Sequence, residues 1–327
     1  MKFRLFALAC LAATPALAQD KPVLTVYAGD SVTSEWGPGP RIEEGFEAFC
    51  NCDLQFVTGD LLPRILMEGS GTQADIVLGL NTDVTARARA SGLFAPHGQD
   101  TSGLSLPISW DDEIFLPYNW GETAFVYDTT RLENPPDSFQ ALLDAPEDLK
   151  IVIQDPRSSV SGLAMLLWVK AAFGDDAPEA WARLAPKVLT VTKGWSEAYG
   201  MFTEGEADMV LSYTTSPAYH IAAEGDETKK AAIFPEGHYF MAELVAQVAS
   251  TDQPELAQSF MDWVLTPDFQ QVIPLANWSL PANLPQEDWP QVMRDLPRPE
   301  KTLFYSEDEA EAMRQPALDE WLRAFSQ

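Results

Sequence analysis

Short apolar runs that end in polar loops, each followed by residues at helical spacing, recur along this chain. Leu24-Thr25-Val26-Tyr27 runs into Ala28-Gly29-Asp30-Ser31, and Ile42, Phe46 and Phe49 then recur among Glu43, Glu44 and Glu47. Cys52 to Val57 alternates as a strand does, Leu61 to Met67 reads as a helix, and Ala74-Asp75-Ile76-Val77-Leu78-Gly79 is a further buried strand. The pattern restarts with Lys150-Ile151-Val152-Ile153-Gln154, a helix from Leu163 to Phe173, and the strand Ala207-Asp208-Met209-Val210-Leu211. Strands alternating with helices need a mainly parallel sheet covered on both faces. Two such units predict an α/β protein of two lobes with a ligand between them.

The first residues read as an address. Lys2 and Arg4 precede an apolar stretch, and Pro15-Ala16-Leu17-Ala18 precedes Gln19, the pattern of a secretory signal cleaved after Ala18. Cys10 stands too early and too deep in the apolar stretch to favour a lipid anchor. No later run reaches the ~20 apolar residues of a membrane span. The chain has 21 basic and 49 acidic residues, a formal charge of 21 − 49 = −28, or 19 − 49 = −30 without Lys2 and Arg4. That charge disfavours nucleic acid. Export permits disulfides, and Cys50 and Cys52, with Asn51 between them, are expected to pair at a helix end; free thiols are the alternative. His97, His220 and His238 are scattered, so no metal site is expected.

Ligands of open α/β sheets bind beyond the carboxyl ends of strands. The loops there are Gly29 to Gly39, the stretch after Gly79, Asp155 to Gly162, and Ser212 to Tyr219. Ser158, Ser159 and Ser161 at the start of an apolar helix could cap it, or could bring hydroxyls and free N–H groups to an anion. No Gly-x-x-x-x-Gly-Lys-Ser/Thr occurs, which disfavours nucleotide hydrolysis. Trp36, Trp195, Tyr213, Tyr219 and Trp278 all fall in or beside such loops. Any one of them suits packing; five together point to a flat aromatic ligand or a cation.

Several strings resemble the periplasmic thiamine-binding proteins of bacterial thiamine ABC importers: Lys21 to Tyr27, Trp36-Gly37-Pro38-Gly39-Pro40, Cys50-Asn51-Cys52, Ala74 to Leu80, Val191 to Gly200 and Leu211 to His220. The resemblance runs from about Lys21 to about Trp278. It implies a type II periplasmic-binding-protein fold, two α/β lobes joined by hinge strands near Pro117 to Trp120 and Ala242 to Ala246. Residues 19–118 with about 245–285 would form one lobe, and 119–244 with about 286–327 the other. It further implies a monomer that takes thiamine or its phosphates and passes them to a permease and ATPase complex, with no cofactor. Tyr219 and Trp278 would hold the rings; Ser159, Ser161, Gly162, Trp195 and Tyr213 would meet the hydroxyethyl group or a phosphate; Asp60 and Trp36 would line the cleft. Gly29 stands where a stacking tyrosine is common in the family, and Trp120 offers a face in its place.

Two rival functions fit parts of this pattern. Polyamine- and iron-binding proteins share related lobes, and Tyr213 with Tyr219 could imitate an iron-binding pair, although they are flanked by Thr and Ser. Thiamine-degrading transferases share the fold and use a cleft cysteine; Cys50 and Cys52 follow a first-lobe helix, away from the strand ends.

Overall fold

The computed structural model describes residues 21–35 and 37–326. The expected signal sequence and Trp36 therefore lie outside the described residues. Strands β1 (Val23–Ala28), β2 (Asp53–Thr58) and β3 (Ile76–Asn81) appear where the apolar runs place them, and the short β4 (Phe94–Ala95) follows. Two long strands come next in importance, β5 (Leu116–Asp128) and, later, β10 (His238–Val248). Between them stand β6 (Ile151–Gln154), β7 (Val188–Thr192), β8 (Met209–Tyr213) and β9 (Lys229–Ala232). Two-residue strands β11 (Leu280–Pro281) and β12 (Thr302–Leu303) complete the set.

The main path of the sheet runs β2-β1-β3-β10-β5-β8-β6-β7. β1 pairs parallel with β2 and β3 at one end, and β6 pairs parallel with β7 and β8 at the other. The middle pairings, β3 with β10, β10 with β5 and β5 with β8, are antiparallel. Two parallel units are thus joined through two antiparallel strands that belong to both. The register between β10 and β5 slips at Glu243/Leu244, and that between β10 and β3 slips at Leu244/Val245. These irregularities fall at the crossing between the lobes, and a bulge bends a strand and increases its local twist. The fold is the two-lobed, type II form expected.

Each face of each unit has its own core. In the first lobe, the helix Gly39–Cys50 turns Ile42 and Phe46 onto β1, β2 and β3, where the much later helix Pro254–Val264 adds Phe260 and Trp263. The opposite face collects Leu62, Phe94 and Phe115 together with Trp120, Phe240, Trp289 and Met293, so the segment after residue 286 packs into a cluster that draws on both lobes. In the second lobe, the helix Val160–Phe173 is apolar all round and is buried from Ser161 to Val169, as expected of a helix enclosed by neighbours. The C-terminal helix Glu307–Phe325 covers it with Ala310, Ala317 and Trp321. Its start is fixed by a capping box between Ser306 and Glu309, and Glu307 ties it to Arg89 of the first lobe at 3.0 Å.

The Cys-Asn-Cys triplet has a backbone reason. Asn51 caps the helix Gly39–Cys50 in the left-handed conformation (φ 53°), which reverses the chain and which asparagine tolerates better than most residues. The reversal brings Cys50 and Cys52 to a Cα separation of 5.2 Å, and they form a disulfide. Cys52 immediately precedes β2, so the bridge sits at the amino end of the strand, opposite the loops where ligands gather.

Candidate functional site

The second lobe supplies a hydroxyl-rich wall. Ser159 is the N-cap of the helix Val160–Phe173, and its Oγ accepts from the Gly162 N–H at 3.4 Å. Ser159 Oγ and Ser161 Oγ lie 2.9 Å apart, and Ser161 Oγ donates to Gln154 Oε1 at 2.7 Å. Gln154, the last residue of β6, in turn donates to the carbonyl of Leu211 within β8, which ties the helix start to that strand. Gly162 is required here: a Cβ would lie 2.6 Å from the Gln154 carbonyl oxygen and 2.7 Å from the Asp155 carbonyl carbon. Those contacts bring the helix start hard against the end of β6.

A second layer is aromatic. The Trp195 indole N–H donates to Ser212 Oγ at 2.8 Å, and Ser212 shares a 2.7 Å hydrogen bond with Ser216. Trp195 stacks on Tyr199 at 4.6 Å between centroids, and Tyr199 stacks on His220 at 5.8 Å. Tyr199 Oη and His220 Nε2 are 2.9 Å apart, while His220 Nδ1 meets Glu224 at 2.6 Å. Both ring nitrogens of His220 are therefore engaged, although His220, Glu224 and Asp226 bring possible ligand atoms within 4.8 Å of one another. Tyr219 lies edge-on to His220 at 5.1 Å and edge-on to Trp278 at 5.3 Å. Thr214 and Thr215, just past β8, each bury a hydroxyl oxygen that has no hydrogen-bond partner among the described residues.

Trp278 reaches Tyr219 from the loop before β11 and holds φ at 54°, a conformation in which a bulky side chain is a true outlier. Its neighbour Asn277 donates to Glu243 at 3.1 Å and to Ser279 at 2.8 Å. Glu243, on β10, also accepts from Tyr118 Oη at 3.0 Å and Asn119 Nδ2 at 2.5 Å. Tyr213 packs beside Gly121, whose added Cβ would stand 3.6 Å from its ring. Burial, then the Glu243 carboxylate, pushes the Tyr213 hydroxyl well above its ordinary pKa, so it stays a neutral donor.

Of the residues singled out in the sequence, Ser159, Ser161 and Gly162 form one contiguous group; Trp195 opens the helix Trp195–Thr203 and bonds Ser212, Tyr213 ends β8, and Tyr219 meets Trp278. Asp60 lies apart on the first lobe, exposed at the N-cap of the helix Leu61–Glu68 and making no side-chain capping bond. Trp120 is 4% exposed in the core, packed on Phe240 at 5.8 Å and covered by the Arg298 guanidinium at 5.0 Å, with its indole N–H unpartnered. Gly29 is the extended residue before the short helix Asp30–Thr33. The sequence reading passed over Glu243, Asn119, Asn277, Gln154 and Tyr199. Glu243 had a visible signal, a lone acid inside the run Tyr239-Phe240-Met241-Ala242-Glu243-Leu244-Val245-Ala246.

Residues 41–271 match the family model described as bacterial extracellular solute-binding protein. The chain is 48% identical over its whole length to the thiamine-binding periplasmic protein of Brucella suis biovar 1 (strain 1330), covering 98% of that protein. The chain belongs to the bacterial extracellular solute-binding proteins, in the group of the thiamine-binding periplasmic proteins. It is also similar to the member of this group from Escherichia coli (strain K12), at 47% identity over 94% of each chain. A solved structure titled periplasmic thiamin binding protein superposes with a TM-score of 0.91 at 46% identity, over 94% of this chain and 97% of that one. Membership in this solute-binding family accounts for the two parallel units joined through the two long antiparallel strands β5 and β10. Among the described residues, no helix is long and apolar enough to cross a membrane.

Proposed function

We propose that this chain is the periplasmic substrate-binding component of an ABC importer, that it binds thiamine and thiamine phosphates, and that it delivers them to a membrane permease and its ATPase. The observation that carries this reading is the edge-on contact of Tyr219 with Trp278, from segments 59 residues apart, at 5.3 Å between ring centroids, in a chain 47–48% identical to thiamine-binding relatives. Thiamine has a flat aminopyrimidine, a thiazolium with a permanent positive charge and a hydroxyethyl tail that carries the phosphates. Aromatic faces suit the rings. The helix start at Ser159, with Ser161 and Gly162, suits the tail.

In this reading Trp195 and Tyr213 complete the polar end, and Asp60 and Trp36 act from the first lobe as that lobe closes, while the enclosed Trp120 acts behind the cleft by packing the crossing strand on Phe240. The lobes divide where β5 and β10 cross, 19–118 with about 245–285 against 119–244 with about 286–327, and ligand contact with both sides favours the closed form. The protein acts as a monomer in the periplasm, reached through the sequence before Gln19, and needs no cofactor. It is a binder and performs no reaction: the disulfide-bonded Cys50 and Cys52 stand at the opposite end of β2 from the cleft loops, so no thiolate is offered to a bound thiazolium.

Isothermal titration of the ligand-free mature protein with thiamine, thiamine monophosphate and spermidine tests this, with indole fluorescence followed in parallel. Tight binding of the thiamine compounds with quenching is expected. Binding of spermidine in their place would assign the cleft to polyamines.

A further inference from the structure

The hinge carries one acid that no basic side chain answers. Glu243 is half-buried on β10 between the buried apolar residues Ala242 and Leu244. Its hydrogen bonds come from three neutral donors, Tyr118, Asn119 and Asn277, and all three converge on Oε2. Oε1 takes none of them. Among the described residues, Glu243 takes part in no salt bridge. Its carboxylate helps hold the Tyr213 hydroxyl above its ordinary pKa.

A carboxylate drawn partly out of water loses solvation, and neutral donors restore only part of it. Three donors fixed on one oxygen hold the group oriented and leave the other oxygen to meet a positive charge without reorganising. We propose that Glu243 is the cation subsite of the cleft, its free Oε1 set against the positive ring of a heteroaromatic ligand held by Tyr219 and Trp278. The identity of that ring as a thiazolium rests on the thiamine reading above. The same side chain positions the aromatic wall: Asn277, bonded to Glu243 and to Ser279, precedes the left-handed Trp278 and holds its loop to the hinge. Closure of the lobes would then lower the local dielectric around a charge pair already aligned.

The test is a titration of wild type, Glu243→Gln and Glu243→Asp with thiamine and with deazathiamine, an isosteric analogue whose corresponding ring is neutral. Wild type should prefer thiamine by at least about tenfold. Glu243→Gln keeps an acceptor for the three donors, and should lose that preference while binding the neutral analogue nearly as wild type does. Glu243→Asp keeps the charge, and should keep part of the preference. Equal losses for both ligands in both variants would make Glu243 a structural tie and overturn the proposal, as would an undiminished preference in Glu243→Gln. A wild-type protein that binds thiamine and deazathiamine equally would overturn the cation subsite alone; one that binds neither would overturn the thiamine reading and the subsite with it. Melting temperatures of the variants identify any loss that comes from unfolding.

Discussion

Trp278 is held in a backbone conformation that costs about 1–3 kcal/mol for a residue with a large side chain, and the surrounding contacts must maintain it. Those contacts are Asn277 on Glu243, the T-shaped approach to Tyr219, and the pairing of the next strand, β11, with β5. Strain kept at a cleft is best explained by what the side chain does there. Trp278→Ala and Tyr219→Ala should each weaken thiamine binding by ~1–3 kcal/mol. Titration calorimetry reads this directly, and an unchanged circular dichroism spectrum would show that the fold survives. Unaltered affinity in both variants would remove the aromatic clamp from the site. Of the individual side chains, the sequence made the half-buried aromatics and the serines visible because they stand at or just beyond the ends of apolar runs. It hid Glu243, whose role depends on three donors that lie 125, 124 and 34 residues away in the chain.

At the scale of elements, the start of the helix Val160–Phe173 is the most tightly specified join. Ser159 caps it, Gln154 ties it to β8, and Gly162 allows it to lie against the end of β6. Gly162→Ala would gain the better intrinsic helix propensity of alanine, about 1 kcal/mol, but would force a Cβ into backbone atoms that cannot rotate away. The clash should win, costing ~1–3 kcal/mol in a chemical denaturation experiment and displacing Ser161 enough to weaken binding. A variant as stable as wild type would show that the helix start can shift freely. The strands and helices near here were legible because β6, β8 and the intervening helix are continuous in sequence and strongly apolar. β5 and β10 were harder to read in full: each passes from one lobe to the other, so the burial of their side chains follows two surroundings and no single period covers the strand. Trp120 illustrates the difficulty. Its neighbours Phe240, Trp289 and Arg298 come from distant segments, and nothing local to Trp120 reveals that its indole is enclosed.

For the whole molecule, closure about β5 and β10 should make the thiamine-bound protein more compact. Small-angle scattering should show a smaller radius of gyration with thiamine than without it, and no change would argue against a hinge. Asp83 gives the molecule a pH dependence of its own. It is buried just past β3, accepts from Tyr239 Oη at 2.8 Å, and burial pushes its carboxyl up to about 7, partly offset by that hydrogen bond. The native state therefore keeps a proton that the unfolded chain releases near the ordinary aspartate value of 3.8. Stability from this group is complete below that value and is lost as pH rises through about 7. Asp83→Asn, a neutral mimic of the protonated acid, should match wild type near pH 4 and exceed it by on the order of a few kcal/mol at pH 8. Thermal melts across that range would show the two curves parting; curves that stay together would mean that Asp83 is ionised in the native state throughout.

The first lobe borrows its core from far along the chain. Phe46 packs against Phe260 at 4.9 Å and Trp263 at 5.5 Å, and Tyr118 packs against Phe269 at 5.9 Å. A polypeptide threaded through a membrane amino end first cannot assemble that lobe until some four-fifths of its length has arrived on the far side, with the helix Pro254–Val264 among the last pieces. The interleaving of distant segments thus makes the first lobe's core a late structure to form on a chain that emerges amino end first.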